Sequence, residues 1–199
     1  MSLDQVSTAV RSGPIAVVPY DPHWPIAFEH IRDTLAHALG EIAFDAHHIG
    51  STAVPGLCAK PKIDIDVVVR SADDIAKAVD RLKTTDRDDH GDPYNDGMWT
   101  FTSRRGVSPG HRIYVCAPNT PAHLDRILFR DHLRAHPEAA AAYGALKRRL
   151  VTESQGVWQT YTDGKSAFVA DIVERARSQG TGGVRQEAPH MPHLSTRSR

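Results

Sequence analysis

Cysteine is nearly absent: Cys58 and Cys116 are the two in 199 residues. Two are too few for a disulfide framework, and their scarcity suits a reducing compartment. No run approaches the roughly 20 apolar residues needed to span a bilayer. Met1 to Pro14 also lacks the basic and apolar regions of a signal peptide, so the expected location is the cytoplasm, with no membrane partner. An excess of one charge is missing too, since 24 Lys+Arg balance 24 Asp+Glu. That balance argues against bulk binding of nucleic acid, which needs a net or clustered positive field, and leaves room for a local phosphate site. Neither GxxxxGK followed by Ser or Thr nor GxGxxG occurs, which disfavours a P-loop kinase and a Rossmann dehydrogenase. Length is not lacking: a chain of this size buries roughly 70% of its unfolded surface and needs no metal to fold.

Residues 15–177 read as one folded body between a flexible start, residues 1–14, and a disordered tail, residues 178–199, rich in Gly, Pro and Ser without apolar periodicity. Trp24, Phe28, Ile31, Leu35 and Leu39 recur at helical spacing and stop at Gly40. Phe44 to Ile49 is a short strand, and Ile63 to Val69 is the most strand-like run of the chain. Ser71 caps a helix carrying Ile75, Val79 and Leu82. The acidic stretch from Thr84 to Gly97 reads as a solvated loop. Met98 to Ser103 and His111 to Cys116 predict an antiparallel pair joined by a Gly/Pro turn. Helices follow from Pro121 to a break at Pro137, from Glu138 to about Glu153, and from Lys165 to Arg177. The order predicts an α+β fold, a mixed sheet covered by helices.

The chemistry concentrates at Gly50-Ser51 and, after twelve intervening residues, at Asp64-Ile65-Asp66 inside the strongest strand. Side chains alternate along a strand, so Asp64 and Asp66 share one face and Ile63, Ile65 and Val67 the other. Two carboxylates side by side repel, and burying them unpaired is costly. A hard divalent ion such as Mg²⁺ would relieve this and keep positions open for substrate phosphates. The Gly-Ser turn would offer backbone N–H groups and a hydroxyl to a phosphate beside it. The alternative is that the pair faces water at a sheet edge or is neutralised by Lys60, Lys62 or a distant arginine.

This Gly-Ser, spacer, Asp-x-Asp arrangement resembles the signature of the nucleotidyltransferase superfamily with the DNA polymerase β-like fold. It is closer still to one branch, the GrpB family, whose members are also found fused to dephospho-CoA kinase. The residues that carry the likeness are Val18 to Pro25, His48 to Leu57, Ala59 to Asp66, His111 to Val115, Phe129 to Arg134 with His136-Pro137, and Tyr143 to Lys147. The resemblance implies a nucleotidyltransferase-like mixed sheet. It places the phosphate turn at Gly50 and Ser51 and the first two metal-binding carboxylates at Asp64 and Asp66. A third carboxylate is implied on the strand His111 to Cys116, which contains no acid. His111 is the expected substitute, as general base or extra ligand. Where the family pattern carries a second histidine on this strand, the chain has Tyr114.

The expected function is therefore binding of a nucleoside triphosphate with Mg²⁺ and transfer of a nucleotidyl group to an unidentified acceptor. The alternative is a nucleotide-binding or folding-accessory module without turnover. Asp64, Asp66 and His111 are the candidate catalytic residues. Gly50, Ser51, Lys60, Lys62, Arg130 and Lys147 are candidates for holding a nucleoside triphosphate or another phosphorylated small molecule. Arg130 and Arg134 share a helix face, where phosphate binding competes with a plain surface pattern. Twelve histidines invite a zinc reading, but His132 and His136 form the only pair at helical ligand spacing and Pro137 follows at once.

Overall fold

The computed structural model describes residues 15–181. The start at residues 1–14 and the tail from residue 182 lie outside the described residues, whereas residues 178–181 complete the last helix. The described residues hold six helices and five strands, in the order α1 (Trp24–Leu39), β1 (Phe44–Ile49), β2 (Lys62–Val69), α2 (Ala72–Lys83), β3 (Arg87–Asp89), β4 (Trp99–Ser103), β5 (Gly110–Cys116), α3 (Pro121–Ala135), α4 (Pro137–Glu153), α5 (Trp158–Asp163) and α6 (Ser166–Thr181). The acidic stretch expected to be loop contains β3, whose Arg87–Asp89 pairs antiparallel with β4. Three residues without an apolar alternation leave no strand signal.

The strands form one mixed sheet in the order β1-β2-β5-β4-β3. All neighbours are antiparallel except β2 and β5, which run parallel. A parallel pair needs a crossover, and the chain between β2 and β5 passes through α2, β3 and β4. Ser71 starts α2 by accepting a hydrogen bond on Oγ from the Asp74 amide, as an N-cap serine does.

Alternation along β2 divides the molecule. Ile63, Ile65 and Val67 are fully buried with Ile113, Val115 and Phe101. They pack against Trp24, Phe28, Leu35 and Leu39 of α1 and Ala78, Val79 and Leu82 of α2. Each such aliphatic side chain contributes roughly 1.5–3 kcal/mol of transfer free energy, so this face carries the main core. The opposite face bears Asp64, Asp66, Arg112, Tyr114, Thr100 and Thr102, because these residues stand opposite one another in register. Part of that face is covered by α3 through Ala122 and Ile127. A second apolar cluster, centred on Phe129, Leu133, Tyr143, Ile172 and Val173, joins α3, α4 and α6.

Candidate functional site

Asp64 and Asp66 share a face as the alternation requires, yet their surroundings differ completely. Asp66 has no exposed surface. Its Oδ2 accepts from His123 Nδ1 at 2.8 Å and its Oδ1 accepts from Arg126 Nη1 at 3.0 Å. The Arg126 guanidinium in turn lies 3.7 Å from the centre of the Tyr114 ring. Both oxygens are thus engaged by α3, whereas the sequence reading expected Asp66 to be a metal ligand beside Asp64. The alternative weighed from the sequence, neutralisation by a distant arginine, describes Asp66.

Asp64 is half-buried and lines a cleft of about 1090 Å³. The turn after β1 folds directly onto it. Gly50 has φ +72°, and a Cβ there would stand 2.9 Å from Asp64 Oδ2. Both the positive φ and the close approach require glycine. Ser51 and Thr52 continue the cleft wall in a single 3₁₀ turn, Ser51–Ala53.

His111 is displaced from this site by strand parity. It stands opposite Ile63, while Arg112 stands opposite Asp64 and Tyr114 opposite Asp66. On the far face its Nε2 accepts from Arg87 Nε at 3.3 Å. Burial, then the nearby Arg87 and Lys62 charges, push its pKa down to about 4. It lies on the helix-covered side of the sheet, away from Asp64 and Asp66, so the structure does not bring the expected base or auxiliary ligand to the cleft. On the strand where a third carboxylate is implied, the positions beside the two aspartates hold Arg112 and Tyr114.

Five cationic side chains surround the cleft: Lys60, Lys62, Arg112, Lys147 and Lys165. Lys60 and Lys62 come from the approach to β2 and Lys147 from α4, as the sequence suggested. Lys60 Nζ sits 4.3 Å from the Trp158 ring centre and 4.9 Å from that of Tyr161. Burial and then Lys165 push the Lys60 ammonium down to about 8. Lys147 is 2% exposed, donates to the Cys58 carbonyl and is pushed down by burial to about 8. Lys165 is also lowered by burial. Among the described residues, Lys60, Arg112, Lys147 and Lys165 form no ion pair at salt-bridge distance with a carboxylate, and Asp64 is the sole carboxylate of the cleft.

Arg130 does not reach the cleft. Its Nη1 donates to the His48 carbonyl at 3.1 Å and its Nε to Asp131 at 2.7 Å. Arg134, on the same helix face, donates to the Ala53 carbonyl at 2.9 Å. The pair fastens α3 to the end of β1 and the following turn, so Arg130, expected at the phosphate, is not among the residues lining the cleft. The buried cysteines are both free.

The donor set does not fit a two-metal centre. Among the described residues no group of three or more His, Cys, Asp or Glu is placed to hold an ion: Asp66 is paired with His123 and Arg126, and the facing β5 positions hold Arg112 and Tyr114. The residues that sequence reasoning missed are Arg112, His123 and Arg126, together with Tyr94 and Trp158 at the cleft wall. Among the described residues no helix is long and apolar enough to cross a membrane.

Known proteins are similar to this chain over most of its described length. A UPF0157 protein of Halalkalibacterium halodurans is 36% identical over 168 residues, covering 82% of this chain and 83% of that protein. A dephospho-CoA kinase of Mycolicibacterium paratuberculosis is 30% identical over 194 residues, covering 84% of this chain and 47% of the kinase. The chain likewise spans 47% of a UPF0157 protein of Bacillus subtilis, about half the length of each of these two relatives. The crystal structure of GrpB from Enterococcus faecalis superimposes with a TM-score of 0.75 at 28% identity, over 83% of this chain and 99% of that one. The GLD-2/RNP-8 complex matches at a TM-score of 0.56 and 10% identity, over 90% of this chain and 75% of that one, a likeness of fold alone. The expected fold class, a nucleotidyltransferase-like mixed sheet with helices packed on it, is the observed one. A family model described as GrpB protein matches residues 14–175, and with these relatives it establishes that the chain belongs to the GrpB family.

Proposed function

We propose that the chain is a nucleotide-binding module whose cleft takes a nucleoside triphosphate, or another phosphorylated small molecule of similar size, without two-metal nucleotidyl transfer. The observation that carries this reading is the unequal fate of the two aspartates: Asp66 is saturated by His123 and Arg126, leaving Asp64 alone among five cations. Phosphoryl-transfer sites with two metals need several carboxylates to bridge the ions, whereas anion binding needs the cations and the turn. The cleft volume of about 1090 Å³ suits a nucleotide, since small-ligand sites run to roughly 300–1,000 Å³. A segment matching a dephospho-CoA kinase over 47% of the kinase's length is in keeping with a module that accompanies catalysis done elsewhere.

Nucleotidyl transfer to an acceptor is the second reading, favoured by the Gly50 turn packed on Asp64. Calorimetric titration with ATP, GTP, CTP, UTP and inorganic tripolyphosphate, alongside a pyrophosphate-release assay, separates the two. Saturable binding without release, weakened at least tenfold by combined Lys60→Ala and Lys165→Ala, is the expected result. Release that is lost in Asp64→Asn would establish the second reading. Absence of binding by every probe would overturn both.

A further inference from the structure

Resting on the nucleotide-binding reading, we propose that the cleft holds its phosphate ligand without a divalent metal, with Arg112 supplying the charge a metal would bring. Three observations converge on this. Arg112 occupies the β5 position opposite Asp64, on a strand that carries no acid, so the cross-strand neighbour of the one open carboxylate is a cation rather than a further ion ligand. Asp66 has both oxygens engaged and no exposed surface, so an ion could reach it only by displacing His123 and Arg126 together. The remaining cleft carries Lys60, Lys62, Lys147 and Lys165 besides Arg112, against Asp64.

A divalent ion entering such a field meets like charge on every side but one. A polyphosphate brings negative charge that the same field attracts. Arginine is also the side chain whose planar fork pairs with two phosphate oxygens at once. The geometry therefore selects the metal-free, highly charged form of the ligand, a diphosphate or triphosphate rather than a monophosphate. Asp64 then acts as the one local opponent of the ligand, with Lys60, Lys165 and Arg112 as its electrostatic neighbours.

This assigns opposite signs to one isosteric substitution. Under metal-mediated binding, Asp64→Asn removes an ion ligand and weakens affinity. Under metal-free binding it removes a negative charge from the phosphate's surroundings and strengthens it. The experiment is calorimetric titration of the full chain with ATP and with inorganic tripolyphosphate, once in EDTA and once in excess MgCl₂ at matched ionic strength, for wild type, Asp64→Asn and Arg112→Gln. The expected results are binding in EDTA at least as tight as in MgCl₂, a several-fold gain in Asp64→Asn, and a loss of tenfold or more in Arg112→Gln. Binding that requires MgCl₂, or that Asp64→Asn abolishes, overturns the metal-free proposal while leaving nucleotide binding intact. Failure of wild type to bind in either condition overturns the nucleotide-binding reading and this proposal with it. Should Arg112→Gln fail to fold, the EDTA comparison and Asp64→Asn still decide the question.

Discussion

Asp66 and His123 lie 57 residues apart in sequence, yet the His123 ring donates to the Asp66 carboxylate at 2.8 Å in a fully buried contact. With Arg126 on the second oxygen, this link pins α3 across the polar face of the sheet. A residue that resembles a catalytic acid is thereby part of the scaffold.

Asp66→Ala should accordingly unfold the protein sooner without addressing the ligand. Removing one partner of a buried pair costs about 3–5 kcal/mol because the other partners are left uncompensated. For a domain of this size each kcal/mol moves the Tm by roughly 2–4 °C, so thermal denaturation should show a fall on the order of 10 °C. An unchanged Tm with lost activity would instead make Asp66 a reacting group.

Gly50→Ala tests the turn. The new Cβ would sit 2.9 Å from Asp64 Oδ2 on a backbone at φ +72° and ψ −171°, a conformation costing an L-residue about 1–3 kcal/mol before any clash is counted. Denaturant unfolding should show at least that loss, with ligand affinity altered as Asp64 is pushed aside. A neutral result in both measurements would mean the turn relaxes freely.

His111→Gln should leave nucleotide affinity and any pyrophosphate release unchanged, because the side chain faces Arg87 on the far side of the sheet. A selective loss of turnover at unchanged Tm would restore it as a base.

The two lysines held at about 8, Lys60 and Lys147, give pH dependences of opposite slope. Their ordinary value is 10.5, so the unfolded chain binds more protons between about pH 8 and about pH 10.5. Stability of the free protein should rise as pH climbs through that window and be lost as pH falls through the folded value. Affinity for a phosphate should instead fall as pH rises through about 8, because the ammonium forms are consumed. Melting curves and titrations across about pH 7 to about pH 10 check both slopes; slopes of equal sign would show that these lysines do not face the ligand.

Much of this was legible in the residues themselves. The α1 stripe, both long strands and the Ser71 cap follow from periodicity and from capping chemistry, and the structure places them within one or two residues of their expected bounds. The parity that puts Asp64 and Asp66 on one face was equally plain. The same rule, applied to Ile113 and Val115, assigns His111 to the core face and Arg112 to the cleft, so that correction was available from alternation alone. What no local pattern reveals is which aspartate is free, since His123 and Arg126 look like an ordinary helix surface pair until α3 crosses the sheet. β3 and α5 are three and six residues long, too short for a period to register.

The two-sided strand β2 also separates what can drift from what cannot. Residues 63, 65 and 67 answer to volume and apolarity, because they fill the space beneath α1 and α2. Residue 64 lines the cleft and takes no part in that packing. Exchanging the charge at this one position therefore leaves the apolar packing beneath β2 in place, so the electrostatic character of the cleft and the core of the domain are carried by opposite faces of one strand.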